Sequence, residues 1–379
     1  MSEPCARLEC PHLPACPGCP RFGAVGPAPQ ALAALAALCE QHGAGHEVVV
    51  GARRGFRHRA RLAVRGRAGR AKIGIFGEGS HRVVDIPSCQ IHHPLINEVA
   101  QVLKACMREL GSSCYSDGPH AGLVRALQVT VERSSQSAQI VLVCNDRTPA
   151  AALPLLDLLS SRLGARVHSS FWNGNPIITN RILGDDFHHH SGPACVGECI
   201  GGARVFFPPA AFGQNNLDLF DQIVDRIHSK VAPGSQVVEL YAGCGGIGLG
   251  LAPSCASLVF NEVSPASLAG LALGLNELPA EQRGRMQIVP GPAESASQAI
   301  HAGSLVIADP PRRGFEPEVV RMLAERAPAQ LLYLSCELGS LVRDAEQLGA
   351  GGLRLEHAIG YDAFPYTEHL ETLACFRRG

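Results

Sequence analysis

The second half of the chain alternates between strand-like and helix-like segments, and this alternation limits the folds open to it. Short apolar runs typical of buried strands occur at residues 236–241, 257–262, 286–289, 305–309, 331–335, 354–359 and 372–376. Helical patterns lie between most of these runs, and one at residues 214–230 precedes the first. Strands that alternate with helices form doubly wound parallel sheets. The sequence therefore predicts an α/β, Rossmann-like sheet in residues 206–379.

The first half has a different pattern. Residues 1–26 are rich in Cys and Pro. Residues 27–205 contain β-like runs at 60–64, 126–131, 139–143 and 176–179, and helical patterns at 29–42, 93–110 and 150–163. We therefore expect three segments: a cysteine-rich loop (1–26), a smaller β-rich α+β domain with helices (27–205) and the α/β domain (206–379).

Composition excludes several classes of protein. The chain has 379 residues, 46% of them apolar, and a formal net charge of −1. It has neither an apolar run long enough to cross a bilayer nor a secretory signal pattern. Its 15 cysteines are an odd number in a long chain, which favours metal-binding or catalytic thiols in a reducing cytosol over a disulfide framework. We expect a cytoplasmic protein with no membrane association and no obligate protein partner.

A glycine loop follows the first of the predicted C-terminal strands. It reads Val237-Val-Glu-Leu-Tyr-Ala-Gly-Cys-Gly-Gly-Ile-Gly248, with Gly243 at the turn. A glycine-rich turn of another Rossmann-like protein would fit the loop alone. However, Glu239 precedes the loop, and Glu262 ends the second strand. The first acid suits a cationic ligand and the second suits ribose hydroxyls, so the pattern resembles that of class I S-adenosylmethionine (SAM) methyltransferases.

Two further predicted strands end at candidate reactive residues. Asp309-Pro310-Pro311 ends the fourth strand, where this fold holds its acceptor, and Cys336 ends the fifth. Amino-directed methyltransferases often place an aromatic residue after Asp-Pro-Pro, whereas Arg312 stands here. Carbon 5 of uracil needs a thiolate at carbon 6 before it can attack a methyl group, and a base must then remove its proton. Cys336 and Glu371 are our candidates for the thiol and the base.

Three cysteines near the N-terminus, Cys10, Cys16 and Cys19, lie in a proline-stiffened stretch. With a fourth thiolate they would hold zinc or an iron–sulfur cluster, and the spacing alone leaves both open. Further along, residues 51–77 contain basic side chains and no acid, and arginine suits phosphate contact and base stacking. We expect this basic window to bind RNA. Its members are Arg53, Arg54, Arg57, Arg59, Arg61, Arg65, Arg67, Arg70 and Lys72.

Taken together, the motifs resemble the RNA (uracil-5-)-methyltransferase family. They are Phe212-Gly-Gln-Asn-Asn216, the loop 239–248, the segment 309–314, Ser335-Cys336 and Phe364-Pro-Tyr-Thr-Glu-His-Leu-Glu371, in the family's order. The resemblance implies SAM-dependent C5-methylation of a uridine in RNA. It further implies roles in SAM binding for Gln214, Tyr241, Gly243 and Glu262, in the uracil site for Asp309, as nucleophile for Cys336 and as base for Glu371.

The resemblance extends to the N-terminal half. Family members with a [4Fe–4S] cluster show similar cysteine spacing and a fourth ligand far downstream. The matching position here is Cys89, and Cys5 is an alternative ligand. It implies a cluster on Cys10, Cys16, Cys19 and Cys89, an RNA-reading central region, 23S rRNA as the substrate and no extra N-terminal β-barrel. A tRNA substrate, an amino-directed enzyme and a catalytically lapsed RNA-binding protein stay open as alternatives.

One position departs from the family pattern. The family usually continues Ser-Cys-Asn-Pro, whereas Glu337-Leu338 follow the cysteine here. A carboxylate beside a thiol raises the thiol pKa unless it points away.

Overall fold

A computed structural model describes residues 9–67 and 69–379, so Cys5 lies outside the described residues. The α-helices are α1 (Pro29–His42), α2 (Pro94–Glu109), α3 (Leu153–Leu163), α4 (Leu217–His228), α5 (Pro265–Glu277), α6 (Ala280–Arg283), α7 (Pro317–Arg326) and α8 (Leu338–Ala350). The strands up to residue 207 are β1 (Gly45–Val49), β2 (Arg59–Arg67), β3 (Arg70–Phe76), β4 (Val83–Asp85), β5 (Val124–Glu132), β6 (Ser137–Cys144), β7 (Val167–Gly174), β8 (Asp186–Ser191), β9 (Val196–Ile200) and β10 (Ala203–Phe207). The remaining strands are β11 (Gln236–Leu240), β12 (Ser257–Glu262), β13 (Met286–Pro290), β14 (Leu305–Ala308), β15 (Gln330–Ser335), β16 (Leu353–Tyr361) and β17 (Glu371–Arg378). None of the described helices combines the length and apolarity needed to cross a bilayer.

The chain divides into two compact units. The N-terminal unit contains residues 9–23, Ala52–Glu198 and Pro208–Ala210, and the C-terminal unit contains Ala24–Gly51, Cys199–Phe207 and Ala211–Gly379. The three predicted segments therefore differ from the observed division. Leu35 and Leu38 of α1 pack into the same core cluster as Tyr333 and Phe376, and β1 pairs with β16, so residues 24–51 fold with the C-terminal sheet.

The C-terminal unit is built on an eight-stranded sheet in the order β1-β16-β17-β15-β14-β11-β12-β13. Most neighbours are parallel, as predicted, but β17 runs antiparallel to both β15 and β16. The α/β class is therefore confirmed, with a mixed rather than purely parallel sheet. Two apolar clusters accompany this sheet, because strands buried on both faces need apolar side chains on both.

The first and last residues of helix α1 follow from its local sequence. Its composition is rich in Ala and Leu, Pro29 lies at its first turn, and Gly43 caps its end with a left-handed φ of 64°. Proline at the start and glycine just past the end are the favoured arrangement, because each avoids a backbone penalty there. The predicted helix 29–42 is confirmed at both ends.

The N-terminal unit contains a seven-stranded sheet in the order β4-β3-β2-β5-β6-β7-β8. All pairs are antiparallel except β6 with β7, where α3 provides the crossover. Helices α2 and α3 share an apolar core with one face of this sheet. The strand predicted at residues 176–179 is wrong, since this stretch forms a loop between β7 and β8.

Candidate active site

The strand register of the C-terminal sheet brings Cys336 and Glu371 together. Strand β15 ends at Ser335, and Ser335 pairs with Thr372 of the antiparallel β17. The residues beyond this pair, Cys336 and Glu371, therefore lie at the same edge of the sheet. Asp309 follows the last residue of β14, the parallel neighbour of β15, and so reaches the same edge. The sequence placed Glu371 just before the last strand, whereas in the structure Glu371 is the first residue of β17.

Burial raises the pKa of all three side chains. Burial raises the pKa of Cys336 to about 11, and the carboxylates of Glu371 and Asp309 contribute to the rise. Burial likewise raises the pKa of Glu371, which is 4% exposed, to about 8, with Asp309 as the main neighbouring charge. Burial raises the pKa of Asp309 to about 7. A thiol and two carboxylates that titrate far from their ordinary values form a reactive cluster.

Arg312 supplies the opposing charge. Its guanidinium lowers the pKa of both Cys336 and Glu371, against the effect of burial. The Arg312 carbonyl accepts a hydrogen bond from Ser340 Oγ at 2.7 Å, which attaches this residue to the first turn of α8.

Glu337 has partners other than the thiol. Its Oε2 lies 3.7 Å from Nδ1 of His369, and its backbone N–H donates to Ser335 Oγ at 3.3 Å. Glu371 and Asp309 are the carboxylates that contribute most to the raised pKa of Cys336. The carboxylate of Glu337, where the chain departs from the family pattern, is therefore not the main negative charge that acts on the thiol.

Glu239 supports the glycine loop from within. It is buried, and its carboxylate lies beside the backbone N–H groups of Gly248 and Ile247. Burial raises the pKa of Glu239 to about 8. A side chain at position 248 would bring its Cβ within 2.2 Å of Glu239 Oε2 and 2.7 Å of the Phe260 ring, so a larger residue there would displace both. The sequence placed this acid beside a cationic ligand, whereas the structure places it against the loop backbone.

The second acid holds the start of the loop. Glu262 Oε2 accepts the Gly243 N–H at 2.7 Å, and its Oε1 accepts the N–H groups of Val263 at 2.8 Å and Ser264 at 2.6 Å. Gly243 has φ 56°, which glycine adopts without strain. Tyr241 also has a positive φ, 57°, and its hydroxyl donates to Glu316 Oε2 at 2.7 Å.

Gln214 joins the reactive cluster from the segment before α4. Its Nε2 donates to Asp309 Oδ2 at 3.4 Å, and this hydrogen bond opposes the raised pKa of the carboxyl. Gln214 and Glu371 line one cavity together with Asn216, Phe220 and Phe364. The structure therefore gathers Gln214, Asp309, Cys336 and Glu371, while Tyr241, Gly243 and Glu262 surround the neighbouring strand ends.

Sequence reasoning missed Asp344, a fully buried residue of α8. Its Oδ2 accepts hydrogen bonds at 2.8 Å from the Tyr333 hydroxyl and from the Phe315 N–H, and its Oδ1 accepts from Arg343 Nε at 3.0 Å. Asp344 thus attaches the loop after Asp309 to the helix that follows Cys336. A lone acid on the apolar face of a predicted helix is the signal that could have identified it.

We expect Asp344→Asn to destabilise the protein by about 2 kcal/mol, because an amide cannot accept all the hydrogen bonds that the carboxylate does. The melting temperature should fall by about 4 °C. Asp225→Asn, at an exposed position of α4 in the same unit, is the matched control and should leave the melting temperature unchanged. Equal melting temperatures for the two variants would show that Asp344 does not stabilise this unit.

The four predicted cluster ligands share one neighbourhood in the N-terminal unit. Cys10, Cys16, Cys19 and Cys89 are all free thiols. Burial, together with the charges of the other three cysteines, raises the pKa of Cys19 to about 12. In the described ranges, 9–67 and 69–379, no three or more His, Cys, Asp or Glu side chains are grouped as ligands of a metal ion.

The basic window does not face solvent as a whole. Arg59 is 6% exposed and donates to the Pro209 carbonyl at 3.3 Å. Arg57 lies among the cysteines, since Cys89 and Cys19 raise its pKa against the larger lowering effect of burial. Arg65 makes an ion pair with Asp117 at 2.7 Å. The window is therefore not a uniform solvent-facing surface, and RNA binding by its exposed members stays a prediction.

Comparison with known proteins establishes the family. Residues 206–378 match the family model described as tRNA (Uracil-5-)-methyltransferase. An uncharacterized RNA methyltransferase of Protochlamydia amoebophila is 34% identical over 330 residues, which cover 86% of each chain. The chain belongs to this family of SAM-dependent RNA methyltransferases. A second relative, an uncharacterized RNA methyltransferase of Geobacter sulfurreducens, is 30% identical over 84% of this chain and 65% of its own length.

A solved structure confirms the fold of the methyltransferase. It is the Pyrococcus abyssi tRNA (uracil-54, C5)-methyltransferase in complex with S-adenosyl-L-homocysteine, with a TM-score of 0.73 and 20% identity. The match covers 92% of this chain and 82% of that one. The methyltransferase therefore has the α/β architecture predicted from its alternating strands and helices.

Proposed function

We propose that this enzyme methylates carbon 5 of a uridine in RNA through a covalent bond between Cys336 and carbon 6. The observation that carries the proposal is the meeting of a thiol and two carboxylates, Asp309 and Glu371, at one edge of the sheet, where both carboxylates raise the pKa of the thiol. An amino-directed enzyme has no need of a thiol at this position. C5 chemistry needs both a nucleophile and a base.

The first step forms the bond to the base. The Cys336 thiol transfers its proton to Asp309, whose pKa of about 7 makes it a proton acceptor near neutral pH. The sulfur adds to carbon 6, and the electrons of the C5–C6 double bond move toward the C4 carbonyl to give an enolate. Protonated Asp309 donates a hydrogen bond to that oxygen. The positive guanidinium of Arg312 opposes the negative charge of the cluster throughout.

The later steps transfer the methyl group and release the base. Bound SAM supplies the electrophilic methyl group that carbon 5 attacks. Glu371, with a pKa of about 8, then removes the carbon 5 proton. The C5–C6 double bond re-forms as the thiolate leaves, and Asp309 returns its proton to the sulfur. Gln214, Tyr241, Gly243 and Glu262 are the residues that we assign to SAM, with Asp309 next to the transferred group.

The experiment is methyl transfer from radiolabelled SAM to unmodified 23S rRNA and tRNA transcripts, followed by nucleoside analysis. We expect labelled 5-methyluridine from 23S rRNA. Label in an N-methylated base would support the amino-directed alternative. Label in tRNA alone would move the substrate to the tRNA alternative, and binding of RNA without transfer of label would support the catalytically lapsed one.

We also propose a [4Fe–4S] cluster on Cys10, Cys16, Cys19 and Cys89. The four thiols are half-buried, and burial together with the charges of the neighbouring cysteines raises the pKa of Cys19 and of Cys89. Bare thiolates are therefore unfavourable at these two positions, and a cationic metal centre would reverse that penalty. Two neighbouring features favour negatively charged thiolates: the backbone N–H groups of Ile91 and His92 donate to the Cys89 sulfur, and Arg57 supplies a half-buried positive charge. When bound, the cluster would tie the segment around Cys10–Cys19 to the segment around Cys89.

Cys89→Ser should abolish the brown colour and the bound iron and sulfide of protein purified without oxygen, because a hydroxyl is a poor ligand for iron–sulfur clusters. The measurement is the visible absorption spectrum with metal and sulfide analysis. Cys199→Ser, at an exposed cysteine, is the matched control and should keep both. A colourless wild-type protein that contains zinc would overturn the assignment.

A further inference from the structure

Two isoleucines project from the loop between β7 and β8. Ile177 is 54% exposed and Ile178 is 82% exposed. Isolated surface aliphatics are common, but two adjacent large ones at the tip of a loop form an apolar protrusion. Their β-branched character led to the prediction of a strand at residues 176–179, yet the structure leaves them unpaired by any sheet.

The backbone of this loop is held in place by a buried arginine. Arg125 donates through Nη1 to the Ile177 carbonyl at 2.7 Å and through Nη2 to the Thr179 carbonyl at 3.5 Å. His120 Nε2 lies 2.8 Å from the Pro176 carbonyl oxygen. The side chain of Asn175 donates to two further loop carbonyls, at 2.8 and 3.0 Å. A loop with this many fixed carbonyls presents its isoleucines in a defined position, which a rigid wedge requires.

The same arginine begins a row of alternating cations and aromatic rings. The Arg125 guanidinium lies 4.4 Å from the centroid of Tyr115, and Arg65 lies 4.8 Å from that centroid. Arg65 also lies 5.4 Å from the ring of Phe76, which is 40% exposed. We call these four residues the cation–aromatic row. An exposed aromatic ring beside arginine is a platform on which an unpaired base can stack.

Unpaired cations continue from the row along the β2–β3 hairpin. The register pairs Arg65 with Lys72 and Arg67 with Arg70, which places the four on one face. In the described part of the chain, no ion pair involves Arg67, Arg70 or Lys72, and all three are exposed. Like charges opposite each other are unfavourable unless a polyanion neutralises them. The exposed positive charges of this hairpin therefore suit the phosphates of a nucleic-acid backbone.

We propose that Ile177 and Ile178 form a wedge that enters the base stack of a structured RNA, while the exposed ring of Phe76 and the exposed cations of the hairpin, Arg67, Arg70 and Lys72, hold the displaced strand. The inference rests on the proposed function and extends it, because a uridine paired in a helix cannot reach Cys336 until its helix is opened. Apolar side chains inserted between bases separate the stack, and stacking on protein rings compensates for part of the separation.

The experiment compares two RNA substrates with wild-type enzyme and Ile177→Ser/Ile178→Ser. One substrate is the stem–loop that contains the uridine methylated by the wild type, and the other is the same strand with its pairing arm mutated so that the uridine is unpaired. The variant should methylate the paired substrate about tenfold more slowly or worse, and the unpaired substrate at the wild-type rate. A 2-aminopurine base next to the uridine should brighten on binding of the wild type and stay dim with the variant.

Matched variants separate the wedge from general effects. Leu110→Ser changes an aliphatic residue that is 44% exposed in the same unit, and it should leave both rates unchanged. Arg67→Ala/Arg70→Ala should weaken binding of both substrates and reduce the salt dependence of binding. If the isoleucine variant methylates both substrates at wild-type rates, the wedge is refuted and a protein partner becomes the better occupant. If the wild type forms no 5-methyluridine in the 23S rRNA or tRNA transcripts from which the stem–loop is chosen, the proposed function itself fails.

Discussion

Cys336→Ala should reduce methyl transfer to RNA by about 10⁴-fold or more, as expected for loss of an essential nucleophile. Carbon 5 of uracil does not react with a methyl donor unless a nucleophile has added to carbon 6. The structure offers a thiol for that step at the edge of the sheet where Asp309 and Glu371 meet. The measurement is the initial rate of 5-methyluridine formation from unmodified transcript.

The control for this variant is Cys199→Ala, an exposed cysteine in the same unit. It should keep the wild-type rate, and both variants should bind RNA and SAM as the wild type does. A Cys336→Ala enzyme that still forms 5-methyluridine at a tenth of the wild-type rate would exclude a covalent mechanism through Cys336.

Glu371→Gln should lower turnover by about 10³-fold and cause a covalent protein–RNA adduct to accumulate. An amide cannot accept the carbon 5 proton, so the sulfur–carbon bond cannot be released after methyl transfer. The adduct should form with ordinary uridine RNA in the presence of SAM. It should be visible as a band of reduced mobility on a denaturing gel, which the wild type lacks.

The ionisation of Glu371 should also determine how the rate of methyl transfer depends on pH. Below its pKa of about 8, Glu371 is increasingly protonated and cannot act as a base, so the wild-type rate should fall as the pH is lowered through that value. Glu371→Gln should lose this dependence. Glu368→Gln, an exposed acid in the preceding loop, is the matched control and should keep both rate and pH profile. A Glu371→Gln enzyme with normal turnover and no adduct would assign the base elsewhere.

Removing the charge should also stabilise the fold. The raised pKa of Glu371 means that ionisation opposes folding, and this penalty grows as the pH rises from the ordinary value of 4.5 to about 8. The Gln variant should therefore gain stability over the wild type above neutral pH and not in acid. A catalytic acid that costs stability is typical of functional sites.

Much of the C-terminal unit could be predicted because its strands are short apolar runs separated by helices. The chemistry at the strand ends followed from the same pattern, since parallel strands deliver their carboxyl ends to one edge. The antiparallel course of β17 could not be predicted, because an apolar run looks the same in either direction. Yet that direction is what places Glu371 beside Cys336.

Burial explains the remaining differences between sequence and structure. A window of arginines looks uniform in sequence, but Arg59 donates to a carbonyl inside the N-terminal unit, while Arg67 and Arg70 are exposed. Strand β1 joins the C-terminal sheet by long-range pairing with β16, which no local pattern reveals. Asp344 was missed for the same reason, since its three donors come from distant segments or from a neighbour that only the fold orients.

The most direct measurement of the central claim uses RNA that contains 5-fluorouridine. Fluorine at carbon 5 cannot be removed as a proton, so a methylated adduct is trapped once sulfur has bonded to carbon 6. After incubation of wild-type enzyme with this RNA and SAM, mass spectrometry of the digested complex should find the modified nucleotide on the peptide that contains Cys336, and Cys336→Ala should yield none. Absence of an adduct with the wild type, or its attachment to any other residue, would contradict the account.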